Sequence, residues 1–228
     1  MKKLFIIVFI SHLLLSCTAD MNPYFGYKPI GYNKKLHKAT WHAYNAEYES
    51  GEWTKNDLDW IYSVSFNENG NIIEANTYDA NNTLKSSNKL NYFEDNKVIS
   101  KFYGANEELS GQRFYELVST DRYEYKENET DEALSGYIIF SNNYGKDSRL
   151  VQEYTFLDND AFLEYESLTE PNKRYKKYFD ENQKLVYETR NEFLEFNAHG
   201  DWTKAVRFDE GEGELQIHLI YREFDYYD

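Results

Sequence analysis

The stretch Phe66-Asn67-Glu68-Asn69-Gly70-Asn71-Ile72 sets an aromatic residue, a polar turn and an apolar residue in a row. The same order returns as Tyr78-Asp79-Ala80-Asn81-Asn82-Thr83-Leu84, as Phe179-Asp180-Glu181-Asn182-Gln183-Lys184-Leu185 and as Phe196-Asn197-Ala198-His199-Gly200-Asp201-Trp202. Asn-Gly between two alternating runs is a strong hairpin signal, because a type I′ turn needs φ > 0 at both central residues. Asn-Asn and His-Gly offer weaker forms of that chemistry. Upstream of the first turn, Ile61-Tyr62-Ser63-Val64-Ser65-Phe66 alternates and puts Tyr62, Val64 and Phe66 on one face. Further anchoring aromatics fall at Phe93, Tyr103, Phe156 and Phe208. Turn signals roughly 8–12 residues apart imply successive short antiparallel strands.

The fold class expected is all-β: an antiparallel meander of tandem β-hairpins, strongly twisted or partly closed, after an N-terminal signal segment. A long strip of such hairpins must curl to hide its apolar face. Aromatics make up 18% of the chain, with 22 tyrosines. Tyrosine suits a sheet wet on one side, with ring to the core and hydroxyl to water. The acidic run Glu127–Glu132 reads as an exposed loop between Tyr123-Glu124-Tyr125 and Tyr137-Ile138-Ile139-Phe140. Glu164 to Lys177, which holds Pro171, reads as irregular or as an edge strand. Thr54 to Ser63 is the one candidate for a short helical turn. Leu215 to Tyr226 reads as the longest uninterrupted strand, with Leu215, Ile217, Leu219 and Tyr221 sharing a face and His218 exposed on the other.

Residues 1–17 stand apart from the fold. Lys2 and Lys3 precede the apolar run Leu4 to Leu15, and Leu14-Leu15-Ser16-Cys17 closes it. That is the pattern of a secretory signal. The segment resembles a bacterial lipoprotein signal with its lipobox, and the resemblance implies cleavage before Cys17, acylation of the Cys17 thiol and a palmitate-type anchor. An ordinary cleaved signal with a chance cysteine is the alternative. Residues 18–35 then form a tether, and residues 36–228 a single β-hairpin-repeat domain without cysteine. An exported domain without disulfides is held by its core alone.

The [Phe/Tyr]-[Asp/Asn]-x-Asn-x-x-[Leu/Ile] units resemble degenerate YD (Rhs-type) repeats, in the setting of the hairpin-repeat lipoproteins of Bacteroidetes. The resemblance runs from about Leu36 to the end, closing on Phe196–Lys204 and Tyr221–Tyr227. It implies a lipid-anchored outer-membrane location, on the periplasmic face or the cell surface. It supplies no catalytic residues.

The residues offer little chemistry of their own. There is no Gly-x-Ser-x-Gly, no free mature cysteine and no His-Glu-x-x-His spacing among His37, His42, His199 and His218. No catalytic set, no metal set and no cofactor is expected. Asp158-Asn159-Asp160 and Glu210 to Glu214 could hold calcium through oxygen ligands, or be solvated turns. Trp41, Trp53, Trp60 and Trp202 are the candidate ligand contacts, for stacking on sugars or for a protein-binding face, with core packing as the alternative for each. The net charge of −15, or −17 without Lys2 and Lys3, repels nucleic acid and suits a basic partner or bound cations. The leading expectation is a non-enzymatic, lipid-anchored envelope protein acting as an interaction or scaffold module. The alternatives are a carbohydrate-binding surface lipoprotein, or an acidic immunity or inhibitor protein against a basic toxin.

Overall fold

The computed structural model describes residues 35–93, 96–141, 149–157, 160–211 and 213–227. The signal segment, Cys17, nearly all of the tether and the Asp158-Asn159 pair lie outside the described residues. The strands run in chain order as β1 (Leu36–Glu49), β2 (Glu52–Phe66), β3 (Ile72–Asp79), β4 (Leu84–Tyr92), β5 (Lys97–Gly104), β6 (Leu109–Ser119) and β7 (Arg122–Lys126). They continue as β8 (Gly136–Ser141), β9 (Arg149–Leu157), β10 (Asp160–Glu170), β11 (Lys173–Phe179), β12 (Leu185–Phe196), β13 (Trp202–Gly211) and β14 (Glu214–Tyr226). Each strand pairs antiparallel with its chain neighbours, and β1 pairs with β14, so the meander is a closed barrel. Closure leaves no free sheet edge.

The repeated turn motif explains the hairpins, but not through type I′ turns. In each turn the first polar residue uses its own side chain to hold the loop. Asn67 Oδ1 accepts from the backbone N–H of Asn69 and Asn71, both at 3.0 Å. Asp79 accepts from Asn81 and Thr83, and Asp180 from Asn182 and Lys184, all at 2.9 Å. Asn197 accepts from His199 and Asp201 at 2.9 and 3.0 Å. Gly70 N–H bonds the Asn67 carbonyl at 2.8 Å, and φ is positive at Gly70 (80°) but not at Asn69. This is a type I turn followed by a left-handed bulge residue. The same site is filled by Asn82, Gln183 and Gly200. The aromatic and the apolar residue of the motif then face one another across the hairpin: Phe66 with Ile72, Tyr78 with Leu84, Phe179 with Leu185, Phe196 with Trp202.

Several local expectations are corrected. Thr54 to Ser63 is strand, inside β2, which exceeds β14 in length. Pro171 sits with Asn172 in the tight link between β10 and β11, where it needs no ladder donor. Tyr92, not Phe93, closes its hairpin by pairing with Val98, while Phe93 occupies the turn and is exposed. Phe208 lies inside β13 rather than at a turn. The acidic run does fall in the connection between β7 and β8.

The register fixes which side chains point inward. Trp41, Tyr62 and Thr77 share one cross-strand row, as do Arg207, Asn191, Arg174 and Thr169. Three buried apolar clusters are formed among the described residues, the third being Ala43, Trp202, Ala205 and Ile220 beside a cavity of the lumen. The first gathers Leu90, Val98, Tyr115, Tyr123, Tyr125, Ile138 and Phe140, and the second Leu36, Ala39, Val64 and Phe66. Burying a side chain of this size stabilises by about 1.5–3 kcal/mol. Barrels of about eight strands can be filled by their own side chains, whereas wider ones leave internal space. A wall from β1 to β14 is in the wider class, and its lumen contains cavities.

The outer wall is charged. Glu74, Lys89 and Lys101 form one outward row, and Lys97, Glu116 and Glu124 another. Across β11 to β13, Lys173 pairs with Glu192 at 3.6 Å and Lys204 with Glu195 at 3.1 Å. Such pairs are worth little individually, yet they keep the wall wet.

Candidate functional site

A cavity of about 560 Å³ lies in the lumen between the β1–β3 wall and the β11–β13 wall. Small-molecule sites span roughly 300–1,000 Å³. Its first wall is aromatic: Trp41 and Tyr62 lie 5.1 Å apart, centroid to centroid, with Trp60 one position along the same face of β2. Trp202 and Phe193 close one side, stacked at 5.0 Å and 12°. Trp41, Trp60, Tyr62 and Phe193 point into the barrel and are half-buried, packed on one side against the apolar clusters while lining the cavity on the other. The guanidinium of Arg222 lies 3.6 Å over the Trp202 ring, which fixes that indole as part of the wall.

The facing wall is cationic. Arg174 and Lys176 alternate inward along β11, and Arg207 projects from β13 with Asn191 of β12 opposite it. Arg207 is tied to Asp209 by contacts of 2.7 and 2.8 Å, and Tyr187 donates to the same carboxylate at 2.7 Å. Behind this pair His218 is 2% exposed, with Nδ1 3.3 Å from Asp209 and Nε2 2.9 Å from Asp59. Both ring nitrogens face carboxylates, so the imidazole donates twice only when protonated. Burial disfavours that charge, but the hydrogen bonds to Asp209 and Asp59 outweigh it and raise the His218 pKa. For Asp209, burial works against ionisation, while hydrogen bonds from His218 and Arg207 prevail and hold its carboxyl at about 2.

Lys176 differs from its neighbours. Its ammonium has no hydrogen-bond or ion-pair partner among the described residues, and in register it lies between Ser167 and Thr189. Burial, with Arg174 and Arg207 nearby, lowers its pKa from 10.5 to about 7. This side of the cavity is therefore lined by basic side chains inside a chain of net charge −15. A second interior network joins Arg113 to Glu153 at 2.7 Å, with Tyr125, Thr155 and Glu164, and none of the four tryptophans belongs to it.

The structure brings together Trp41, Trp60 and Trp202, and leaves Trp53 out. Trp53 lies on the outer wall, 4.9 Å from the Tyr48 ring and 5.8 Å from Phe208. The expectation of an exposed His218 is corrected: the inward face of β14 carries His218, Ile220 and Arg222, opposite to the Ile217 and Leu219 face. His199 lies in its turn, as read, with its ring 4.9 Å from Tyr226, and His37 pairs with Asp225 at 2.9 Å on the surface. Tyr62, Phe193, Asn191, Arg174, Lys176 and Arg207 were not anticipated. Alternation along Arg174-Tyr175-Lys176-Lys177 could not reveal them, because both faces of β11 carry lysine. Among the described residues no group of His, Cys, Asp and Glu is arranged to hold a metal.

No family model matches the sequence, and no curated protein matches it. Among solved structures the chain is similar to a porin-like protein from Bacteroides uniformis ATCC 8492, at 8% identity over 83% of this chain and 96% of that one, with a TM-score of 0.31. It is also similar to a protein of unknown function from Bacteroides fragilis NCTC 9343, at 11% identity over 73% and 86%, with a TM-score of 0.13. Neither superposition is close enough to transfer a ligand or a role.

Proposed function

We propose that this chain is a non-enzymatic binding protein of the bacterial envelope, lipid-anchored through Cys17, that holds a ring-bearing small molecule such as a saccharide in its lumen. The observation that carries the reading is the cavity of about 560 Å³ with Trp41, Trp60 and Tyr62 on one side and polar, cationic groups on the other. Flat apolar ring faces opposite fixed polar groups are how a protein grips a sugar, with stacking for the C–H face and hydrogen bonds for the hydroxyls. The lipobox supports the anchor and the envelope location. The charged outer wall argues that the barrel stands beside the membrane rather than in it, since an Arg or Lys facing lipid at the midplane costs about 2–4 kcal/mol.

The test is tryptophan fluorescence and calorimetry against a panel of envelope and dietary glycans. A binding glycan should shift the emission of the intact protein. Trp41→Ala and Trp60→Ala should each remove at least tenfold in affinity with the thermal melt retained, while Trp53→Ala on the outer wall should bind normally. Binding lost equally in Trp53→Ala, or no glycan bound by folded protein, would sink the lumen reading. A second reading, a scaffold that docks a protein on its outer wall, is favoured by the 60% exposed Tyr48 beside Trp53. It predicts the reverse ranking of the same three variants in cross-linking to a partner.

A further inference from the structure

We propose that Lys176 is a covalent attachment point: its side-chain amine condenses with the aldehyde of a ring-bearing ligand held in the cavity and forms an imine. The inference rests on the lumen reading above and adds the functional group by which the ligand is held. Lys176 lines the cavity on the wall that faces Trp41, Trp60 and Tyr62, so a ring stacked on those side chains presents its substituents to the amine. Among the described residues no carboxylate pairs with it. Asp209, the acid that acts on it, already accepts from Arg207 and Tyr187 and lies 3.3 Å from His218 Nδ1. In register Lys176 stands between Ser167 and Thr189, and the Thr189 hydroxyl, in a residue 1% exposed, has no hydrogen-bond partner among the described residues. A lysine taken out of water and set beside other cations is the form that attacks a carbonyl carbon.

The step balances without a further reagent. The amine lone pair attacks the carbonyl carbon, the oxygen takes up the proton that the nitrogen loses, and that oxygen leaves as water when the C=N bond closes. Thr189 supplies a hydroxyl in the same cross-strand row for the oxygen of the intermediate. Lys176 is faced by Ser167 from β10, by Thr189 from β12, by Arg207 and Asp209 from β13, and by Arg174 on its own strand, with Tyr62 and Thr77 across the cavity. Burial first, then the two guanidinium groups, set its pKa at about 7, so about half of the molecules carry the free amine at pH 7. An exposed lysine, at about 10.4, is free in roughly 1 molecule in 2,500 at that pH. Lys176 is thus the amine that reacts where the surface lysines are protonated.

The experiment is borohydride trapping of the imine on the mature protein at pH 7, read by intact mass and peptide mapping. The probes are 4-hydroxybenzaldehyde, an aryl aldehyde, and cellobiose, a reducing sugar end. Each is run beside its carbonyl-free counterpart, 4-hydroxybenzyl alcohol or methyl β-cellobioside. The proposal expects one probe added per molecule, with Lys176 modified at least tenfold faster than any other lysine. Which aldehyde is captured identifies its source. The rate at Lys176 should level off as pH rises from 7 to 9, while the surface lysines keep accelerating. Excess carbonyl-free counterpart should slow labelling at Lys176 alone, by occupying the cavity. Lys176→Met should leave no preferred site, and mapping of the unaltered protein carries the test should that variant fail to fold. Even labelling across the surface lysines would refute the proposal. A counterpart that binds through Trp41 and Trp60 while no adduct forms on Lys176 would overturn the attachment and leave the lumen reading standing. Neither probe nor counterpart bound by folded protein would overturn both.

Discussion

Gly136→Ala is the sharpest test of how this barrel is packed. Gly136 stands directly opposite Tyr125 across β7 and β8, and the tyrosine ring lies over it. A Cβ at that position would fall 2.3 Å from the Tyr154 carbonyl oxygen and 2.5 and 2.6 Å from the Tyr125 hydroxyl oxygen and Cζ. Relief needs shifts of about 0.5–1 Å in both a ladder carbonyl and a 1% exposed aromatic. Overpacking of this kind costs about 1–3 kcal/mol. Displacing Tyr125 also loses its 3.1 Å hydrogen bond to Thr155, worth about 1 kcal/mol. The expected loss is about 2–4 kcal/mol, which lowers Tm by roughly 5–15 °C for a domain of this size. Urea unfolding followed by tryptophan emission, with a parallel thermal melt, reads it directly. In a Tyr125→Leu background part of the clash is gone, so the two changes should be coupled by more than about 0.5 kcal/mol. A Gly136→Ala protein within 0.5 kcal/mol of the original would refute the packing.

Three further outcomes follow from particular side chains. Asn197→Ala removes two backbone caps and a 2.6 Å donation to the Tyr226 hydroxyl, and should cost about 1–2 kcal/mol in chemical denaturation. Asp209 is held at about 2, below its ordinary 3.8, so its stabilisation is present above pH 3.8 and is lost as pH falls through 2. An acid titration should therefore show a stability slope in that window that is missing in Asp209→Asn. Lys176 binds its proton less tightly folded than unfolded, so the unfolded chain carries more protons between pH 7 and 10.5. Its contribution makes stability rise with pH across that window, and Lys176→Met should flatten it. His218, whose pKa is raised, contributes below its ordinary 6.5 and loses that contribution as pH climbs through its folded value. The lysine effect is thus read as the difference between the two proteins' pH profiles.

The hairpins were legible because their cause is local. An Asp or Asn that can reach two backbone N–H groups and a residue at positive φ write themselves into each of the four motif turns, whatever the rest of the chain does. The turn type was misjudged because Asn69-Gly70 invites a two-residue turn, while the Asn67 carboxamide stabilises a longer one. Which face of each strand turns inward was legible only where one parity is apolar, as with Tyr62, Val64 and Phe66. On β14 the apolar Ile217 and Leu219 lie outward, and Leu219 is buried there at 1% exposure. Alternation therefore pointed to the wrong side and hid His218. Bulges added a second barrier. Asp59 and Glu164 are each skipped by the ladder, at the register shifts in β2 and β10, and they engage His218 and Thr155 respectively. No period of two predicts a residue that steps out of it. The tryptophans of the site were visible as candidates, but the cations opposite them belong to strands far along the chain, and only closure brings the two walls face to face.

The seam between β1 and β14 also governs how the molecule can be made. Every other pairing joins consecutive strands and can form as the chain emerges, but Leu36 meets Tyr226 only when both ends are present. Bringing those ends together without the intervening ladder would cost roughly 5 kcal/mol of chain entropy. Zipping the hairpins in order shortens that search to a single docking of two ready edges. Until that docking, a half-built ribbon displays an unpaired edge at each side and its aromatic face to solvent, so the span before β14 arrives is the period of greatest aggregation hazard. Moving the seam, by joining the ends and opening a different hairpin, would leave the finished ring intact and change only which strand must wait.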